Sequence, residues 1–572
     1  MLSFWRKTQK YQNPWILLRR VFSEAQHSRV PKLLERLAKE FGYGECYTKI
    51  MFWADKIAQE LAKTKKPQIV DDAKTPSGRV HVGALRGVII HDLAFKAFQE
   101  AGVKARYTFI FDDLDPMDSL PVYLSKEKYE KYMGVPLKNI PVPTKDPKFE
   151  AKGQSFEANS YAEYYASEFI GVFNKLGATP EILWCSRLYE EGKLDKQIKL
   201  ALENAEKIQE IYEKVSGSKR PKDYIPFQPI CEKCGKIGTT AATNWDGEYV
   251  HYQCLERKVE WAVGCGYTGM VKPFGRTGKM PFRVEWPAKW AALGVTVEGA
   301  GKDHASKGGT RDTANAIARE IFKIEPPYDI PYEHFLLSGK KMSSSKGVGV
   351  SASEVSEILP PEVLRFLMVR FRPMQHIDFD PEAEHTIPKL FDDFDTARVS
   401  KEPDLKRIWQ LSVVSGDAGE YFVPRFPDLV NIIQMPNVDA VLWAEKQKGT
   451  KLTEKDKREL EKRMGYVKIY LERFAPEEVK FTVKEKLPEE AKTLTSQQKE
   501  LLTKVAELLE KAEKPEDFQN EIYQAGKELG LSSVETFKAI YLTLLGKESG
   551  PKAAWLVLSL DKKFVRQRFC KL

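Results

Sequence analysis

No stretch of this sequence stays apolar long enough to cross a bilayer. The most apolar run, Gly87 to Ile90 and then Leu93 to Phe95, is broken by His91 and Asp92. Cysteine is scarce, seven residues in 572, and four of the seven fall between Cys231 and Cys265, leaving Cys46, Cys185 and Cys570 isolated. That distribution argues against a secreted disulfide framework and for one metal cluster with spare thiols in a reducing compartment, so a cytoplasmic protein is expected. Excess charge is also small: 90 Lys and Arg stand against 81 Asp and Glu, a net +9 that permits a polyanionic partner without requiring one. There is no internal repeat, no low-complexity tract, no GxxxxGK[ST] loop and no GxGxxG after the first strand, which excludes a P-loop or dinucleotide reader by those marks.

The length predicts three or four domains. The first fifty residues are basic and aromatic but lack the apolar core and small-residue cleavage site of a signal peptide. The globular pattern begins at Met51, a candidate start, with a helix carrying Trp53, Ile57 and Leu61 on one face. Residues 69 to 111 read as a βαβ unit: a short strand ending at Ile69 and Val70, a helix over Val82 to Gly102, and a buried strand over Ala105 to Phe111. From Ser160 to Ser216 the pattern is helical, and Pro221, Pro226 and Pro229 then break the chain ahead of the cysteines. Strand-like alternation resumes near Phe282, and Tyr332 to Leu337 is expected to complete the sheet. Beyond Pro360 the amphipathic stretches at 362–372, 456–472, 497–511 and 533–545 predict an all-α end. The expected fold is a Rossmann-like, doubly wound parallel α/β sheet with a small metal-binding insertion and an all-α C-terminal domain. The expected divisions are 1–50, 51–225, 226–280, 281–360 and 361–572.

Two motifs carry chemistry. The turn Thr75-Pro-Ser77-Gly78 and the following Arg79-Val-His81-Val-Gly83-Ala84 lie where the first strand gives way to the first helix, the usual ligand crevice of an open α/β sheet. Free N–H groups and the positive dipole end of a helix start favour phosphate there, and His81 adds a donor. The second motif, Gly339-Lys-Lys341-Met-Ser343-Ser-Ser-Lys346-Gly347, is GKKMSSSKG, with three lysines and three hydroxyls in nine residues. Such a loop suits a triphosphate. Each motif alone has an ordinary reading, a turn histidine or a solvated Lys/Ser loop. Cys231 and Cys234 have zinc-knuckle spacing, with Cys254 and Cys265 completing a tetrahedral set; His251 is an alternative to Cys254, and four cysteines are favoured.

Taken together, HVGA and KMSSS, about 260 residues apart, resemble the HIGH and KMSKS signatures of class I aminoacyl-tRNA synthetases. TPSGRVHVGALRG, FDDLDP, FRVEWPAKW, GKDH and GKKMSSSKG resemble the class I lysyl-tRNA synthetases in particular. Two positions depart from the pattern: Ala84 stands for the second histidine and Ser344 for the second lysine. The resemblance implies a lysine-tRNA ligase, with ATP and its Mg2+, L-lysine and tRNA(Lys) as substrates and partners, and a structural zinc. It implies catalytic roles for His81, Gly83, Lys341, Ser343 and Lys346, and ATP contacts from Ser77, Gly78, His81, Gly301, Asp303 and Lys341. Thr75, Phe282, His304 and Tyr332 match positions around the amino acid, where aromatic faces would cover its methylenes and attract its cation. Asp113, in the run Asp112, Asp113, Asp115, is the acid expected to meet an ammonium, although capping is the commoner fate of such residues. The helical end, with Lys562, Lys563, Arg566, Arg568 and Lys571, would bind tRNA phosphates. The competing readings are a class I ligase for glutamate or arginine and a non-catalytic tRNA-binding relative.

Overall fold

The computed structural model describes residues 51–143, 158–339, 350–383, 385–414 and 419–571. Residues Ala54–Leu572 form one compact unit. At its centre is a five-stranded parallel sheet built from β1 (Gln68–Lys74), β2 (Ala105–Phe111), β3 (Glu181–Trp184), β4 (Val297–Gly301) and β5 (Tyr328–Tyr332), in the spatial order β5-β4-β1-β2-β3. The order reverses between β1 and β4. A doubly wound sheet opens a crevice at such a point, outside the carboxyl ends of its strands.

The local chemistry explains these elements. Helix α1 (Trp53–Ala62) precedes β1 and buries Ala54, Ile57 and Ala58. The turn after β1 passes through a short 3-10 segment at Val82–Ala84 into α2 (Leu85–Glu100), which is buried along most of its length because it lies under the sheet. Helix α3 (Tyr161–Lys175) begins where Ser160 Oγ accepts from the Glu163 N–H, and it buries Tyr161, Tyr165, Phe169 and Phe173, four residues apart. Between β3 and β4 the chain adds α4 (Cys185–Glu190), α5 (Ala205–Ser216), a small antiparallel module and α6 (Phe282–Leu293). Helix α7 (Thr310–Glu320) joins β4 to β5.

Four expectations are corrected. Strand β1 does not end at Val70 but runs on through Asp71 and Asp72 to Lys74, because it pairs residue for residue with Ala105–Phe111 of β2. The 160–216 region is not wholly helical: Glu181–Trp184 pairs with Thr108–Phe111 as β3. Phe282 opens a helix, not a strand; Pro281 precedes its first turn, Gly294 ends it at φ +71°, and Trp286 and Trp290 share one side. The sheet is completed by Tyr328–Tyr332, while Phe335–Leu337 pairs instead with Ile377–Phe379 in a separate two-stranded ladder. Beyond Phe379 every described element is helical, including Glu454–Arg473, Ser496–Leu508 and Ser533–Leu545, with a core of its own around Leu501, Leu502, Ile540 and Leu556.

Candidate functional site

A cavity of about 340 Å³ occupies the crevice. Its walls come from the end of β1 (Asp72 to Thr75), the turn bearing His81, Gly83 and Ala84, helix α6 through Phe282 and Trp286, and the end of β4 with Gly301, Asp303 and His304. The end of β5, Tyr332 with Glu333 and His334, closes it.

Side-chain alternation along β1 places Asp72 and Lys74 on one face. Asp72 is 9% exposed, its Oδ1 accepts the Ala73 N–H at 2.9 Å, and its Oδ2 lies 3.5 Å from His91 Nδ1. His91 is already committed. Its Nε2 accepts the Gly299 N–H at 2.7 Å, so the proton resides on Nδ1, which faces the Gly87 carbonyl at 2.7 Å, and the ring is neutral. Among the described residues no lysine or arginine lies at ion-pair distance from Asp72; burial raises its pKa, and the nearby His91 and Lys74 only partly oppose that. Burial likewise lowers the pKa of Lys74. Gly87 is needed here: a Cβ would lie 2.9 Å from Tyr332 Oη and 3.2 Å from Asp72 Oδ2.

The opposite wall is aromatic. Phe282, 42% exposed, stacks on Trp286 with centroids 5.4 Å apart and planes 15° apart, and His304 stands 5.8 Å and 6.0 Å from the two rings. Glu298 holds this wall: it accepts from Trp286 Nε1 at 2.7 Å and from Trp290 Nε1, and the Arg311 guanidinium lies over both indoles at 5.3 Å and 4.6 Å. At the rim, Asp303 Oδ1 is 3.3 Å from His334 Nε2.

Below the cavity runs a buried ion network. Lys289 pairs with Asp112 and, at 3.1 Å, with Glu285; Lys279 pairs with Asp115 and, at 3.0 Å, with Glu285. Tyr189 Oη donates to Glu285 at 2.6 Å and accepts the Met280 N–H at 2.8 Å. Burial alone would raise Glu285, but the two lysines outweigh it and hold its pKa down to about 2. Thr75 Oγ1 donates to Asp115 at 2.6 Å, so this network also fixes the cavity's Thr75.

The cavity therefore gathers Thr75, His81, Gly83, Phe282, Gly301, Asp303, His304 and Tyr332 from the sequence-derived set. Asp113 is a correction: it is fully buried and accepts both the N–H and the hydroxyl of Ser186, at 2.8 Å and 2.6 Å, so it caps α4 and does not line the cavity. Ser77 and Gly78 also lie off its wall, Ser77 offering its carbonyl to Tyr161 Oη at 2.9 Å. Lys341, Ser343 and Lys346 lie outside the described residues, as does Ser344. The chain that follows them is fixed beside the first motif, for Val82 N donates to Val350 O at 3.1 Å and Ala352 N to Val80 O at 2.8 Å. Arg568 is a second correction, being buried with its guanidinium donating to the carbonyls of Thr543, Lys484 and Glu485, which leaves it unable to meet a phosphate. Sequence reasoning missed Asp72, Lys74, Trp286 and Glu298. A signal existed: two consecutive acids at 71–72 in a strand buried on both faces are costly unless they serve a ligand.

In the small module, Cys231 Sγ is 3.6 Å from Cys265 Sγ and Cys234 Sγ is 3.7 Å from Cys254 Sγ, all four sulfurs lying within 4.8 Å of one another. A disulfide is far shorter, whereas a tetrahedron of thiolates with metal–sulfur bonds of about 2.3 Å has edges of about 3.8 Å. Cys254 Sγ also accepts the Cys265 N–H at 3.3 Å. His251 is turned away to Asp246 Oδ2 at 2.8 Å, which leaves Cys254 as the fourth member.

Residues 51–414 match the family model described as "tRNA synthetases class I (K)". The chain is similar to lysine–tRNA ligase of Thermoplasma acidophilum, 36% identical over 91% of this chain and 98% of that one. It is 37% identical to lysine–tRNA ligase of Methanosarcina barkeri, over 90% of this chain and 97% of the relative. Lysine–tRNA ligase 1 of Methanosarcina acetivorans is 38% identical over 91% and 98%. The match takes in the sheet, the cavity and the cysteine module alike, and the chain belongs to the class I (K) tRNA synthetases.

Proposed function

We propose that the protein is a lysine–tRNA ligase, activating L-lysine with ATP to lysyl-adenylate and pyrophosphate and passing the lysyl group to the 3′ end of tRNA(Lys). One observation carries the choice of amino acid: Asp72, a buried carboxylate with no lysine or arginine at ion-pair distance among the described residues, lies in a cavity with an aromatic wall. A substrate with a long alkyl arm and an ammonium tip satisfies both features, since Phe282, Trp286 and Tyr332 cover methylenes and Asp72 takes the charge. A glutamate side chain would bring a third carboxylate beside Asp72 and Glu298, which argues against the glutamate reading.

The chemistry asks little of an acid or base. A carboxylate oxygen of lysine attacks the α-phosphorus of ATP and the bond to the pyrophosphate oxygen breaks; a terminal ribose hydroxyl of tRNA then attacks the lysyl carbonyl, and AMP leaves. Positioning and charge stabilisation account for both steps. His81 and the N–H groups around Gly83 are suited to the phosphates, Gly301 and Asp303 to the ribose, and Lys341, Ser343 and Lys346 to the departing pyrophosphate, with Mg2+ accompanying ATP. Ser77 and Gly78 shape the same turn. The four cysteines fit a zinc ion whose role is structural, because four protein ligands leave no open position. In this reading residues 51–225 and 281–360 make the catalytic core, 226–280 the zinc insertion and 361–572 a tRNA-binding helical region. Pyrophosphate exchange into ATP, run with tRNA present and each amino acid in turn, tests the proposal: lysine alone should support it, and equal exchange with arginine or glutamate would overturn it.

A further inference from the structure

We infer that the surface formed by α5, the loop after it and the start of α6 is a stacking platform for the single-stranded 3′ end of tRNA. This rests on the ligase reading above and names where that substrate's terminal strand would run.

Two arginines define the platform. The Arg220 guanidinium lies over the Tyr212 ring at 4.8 Å and the Tyr224 ring at 5.7 Å, while the Arg283 guanidinium lies 5.9 Å from the Tyr212 ring and donates to Ser216 Oγ at 3.2 Å. The tyrosines meet edge to face, 6.0 Å apart at 87°, and the loop is tied down where Gln209 Nε2 donates to the Lys222 carbonyl at 3.3 Å. The arginines are thus oriented by aromatic faces and a hydroxyl. Among the described residues neither has a carboxylate at ion-pair distance, and the same holds for the exposed Lys222 and Lys307 close by. Nearby Lys219 reaches Glu213 only at 3.7 Å. A guanidinium packed over tyrosine rings without a carboxylate partner keeps its positive field for a phosphate, and its planar group can stack on a base.

Position supplies the second argument. Arg283 follows Phe282, the exposed ring at the mouth of the cavity, and the 304–309 turn at the same mouth approaches α5, where a Cβ at Gly308 would lie 3.1 Å from the Val215 carbonyl. A tRNA that presents its terminal ribose to the cavity must lead a flexible, charged strand over the rim. On this side Arg220 and Arg283 have no carboxylate at ion-pair distance among the described residues, whereas Lys302 is paired with Glu333 at 2.6 Å.

The test measures affinity of the full-length protein for intact tRNA(Lys) and for the same tRNA lacking its four 3′-terminal nucleotides. The wild type should bind the truncated tRNA about tenfold more weakly, the scale of one or two lost stacking contacts. Arg220→Ala and Arg283→Ala should each weaken binding of intact tRNA by about that factor while binding the truncated tRNA as the wild type does. Arg220→Lys, which keeps the charge but not the planar face, should fall between. Equal losses on both RNAs, or none on either, would overturn the platform. Whether lysine is the amino acid is read separately from wild-type charging, so failure of one proposal does not mask failure of the other.

Discussion

Asp72 is a carboxylate buried in the cavity wall beside His91, and in the proposed reading the ammonium of lysine neutralises it. Removing one member of a buried charge pair costs about 2–5 kcal/mol of binding, so Asp72→Asn should raise the KM for lysine at least about thirtyfold and leave that for ATP nearly unchanged. The pH dependence has a definite sign. Burial raises the Asp72 pKa, and only the ionised form attracts an ammonium, so lysine KM should climb as pH falls through a value above the ordinary carboxylate range. The variant should lack that limb. The same shift bears on stability: a raised acid favours the folded state below its unfolded pKa, and that contribution is lost as pH rises through the folded pKa. Unliganded Asp72→Asn should therefore melt no lower than the wild type at neutral pH, and a lower melting temperature with unchanged lysine KM would make Asp72 a structural residue. Lys341→Ala, by contrast, should slow activation by about two to three orders of magnitude with lysine binding retained, the loss typical of one transition-state donor. Pre-steady-state formation of lysyl-adenylate measures this. At this scale the sequence revealed residues set in recognisable motifs, His81, Gly83 and Asp303 among them. It did not distinguish Asp72 from Asp113, because both read as acids near strand ends and only the three-dimensional partners, a lone cavity against the Ser186 cap, separate them.

Among elements, α6 is the one on which most depends, since it carries the aromatic wall on one side and Glu285 and Lys289 on another. Glu285 faces two buried lysines, and its pKa is held at about 2. A lowered acid stabilises the fold above its unfolded pKa, and that stabilisation disappears as pH falls toward the folded value. Glu285→Gln should cost about 3–5 kcal/mol by leaving buried cations short of an anion, and the deficit relative to wild type should shrink at acidic pH, which calorimetry across pH would register. A deficit independent of pH would mean that packing, not charge, is lost. The cysteine module poses a similar test: Cys231→Ser with Cys234→Ser should abolish about one equivalent of bound zinc per chain and expose residues near 226–280 to hydrogen exchange. Native protein free of zinc and iron would refute the cluster. The helix α6 was misread as strand-like because FRVEWPAKW alternates in hydrophobicity and contains Pro287, which normally argues against a helix interior. The cysteine module was legible because ligand spacing is a covalent constraint that tertiary context does not override.

On the scale of the whole molecule, the order of motifs along the chain foretold the parallel sheet and the helical end, while the pairing of β1 with β4 joins residues more than 200 apart, which no local pattern encodes. Charge has a distribution of its own. Residues 1–50 hold ten Lys and Arg against four Glu, so most of the net +9 lies there. The family match begins at residue 51, and the described strands and the cavity come later. A protein begun at Met51 is therefore expected to fold and to charge tRNA with lysine at close to the full-length kcat. Its tRNA affinity offers the finer measurement, because each phosphate contact adds about 0.9 to the slope of log K against log salt on duplex nucleic acid. If residues 1–50 form no contact with tRNA, the slope will be the same with and without them. A slope reduced by two or more, with pyrophosphate exchange intact, would mean that the basic extension grips the tRNA. Loss of exchange as well would mean that it completes the catalytic unit.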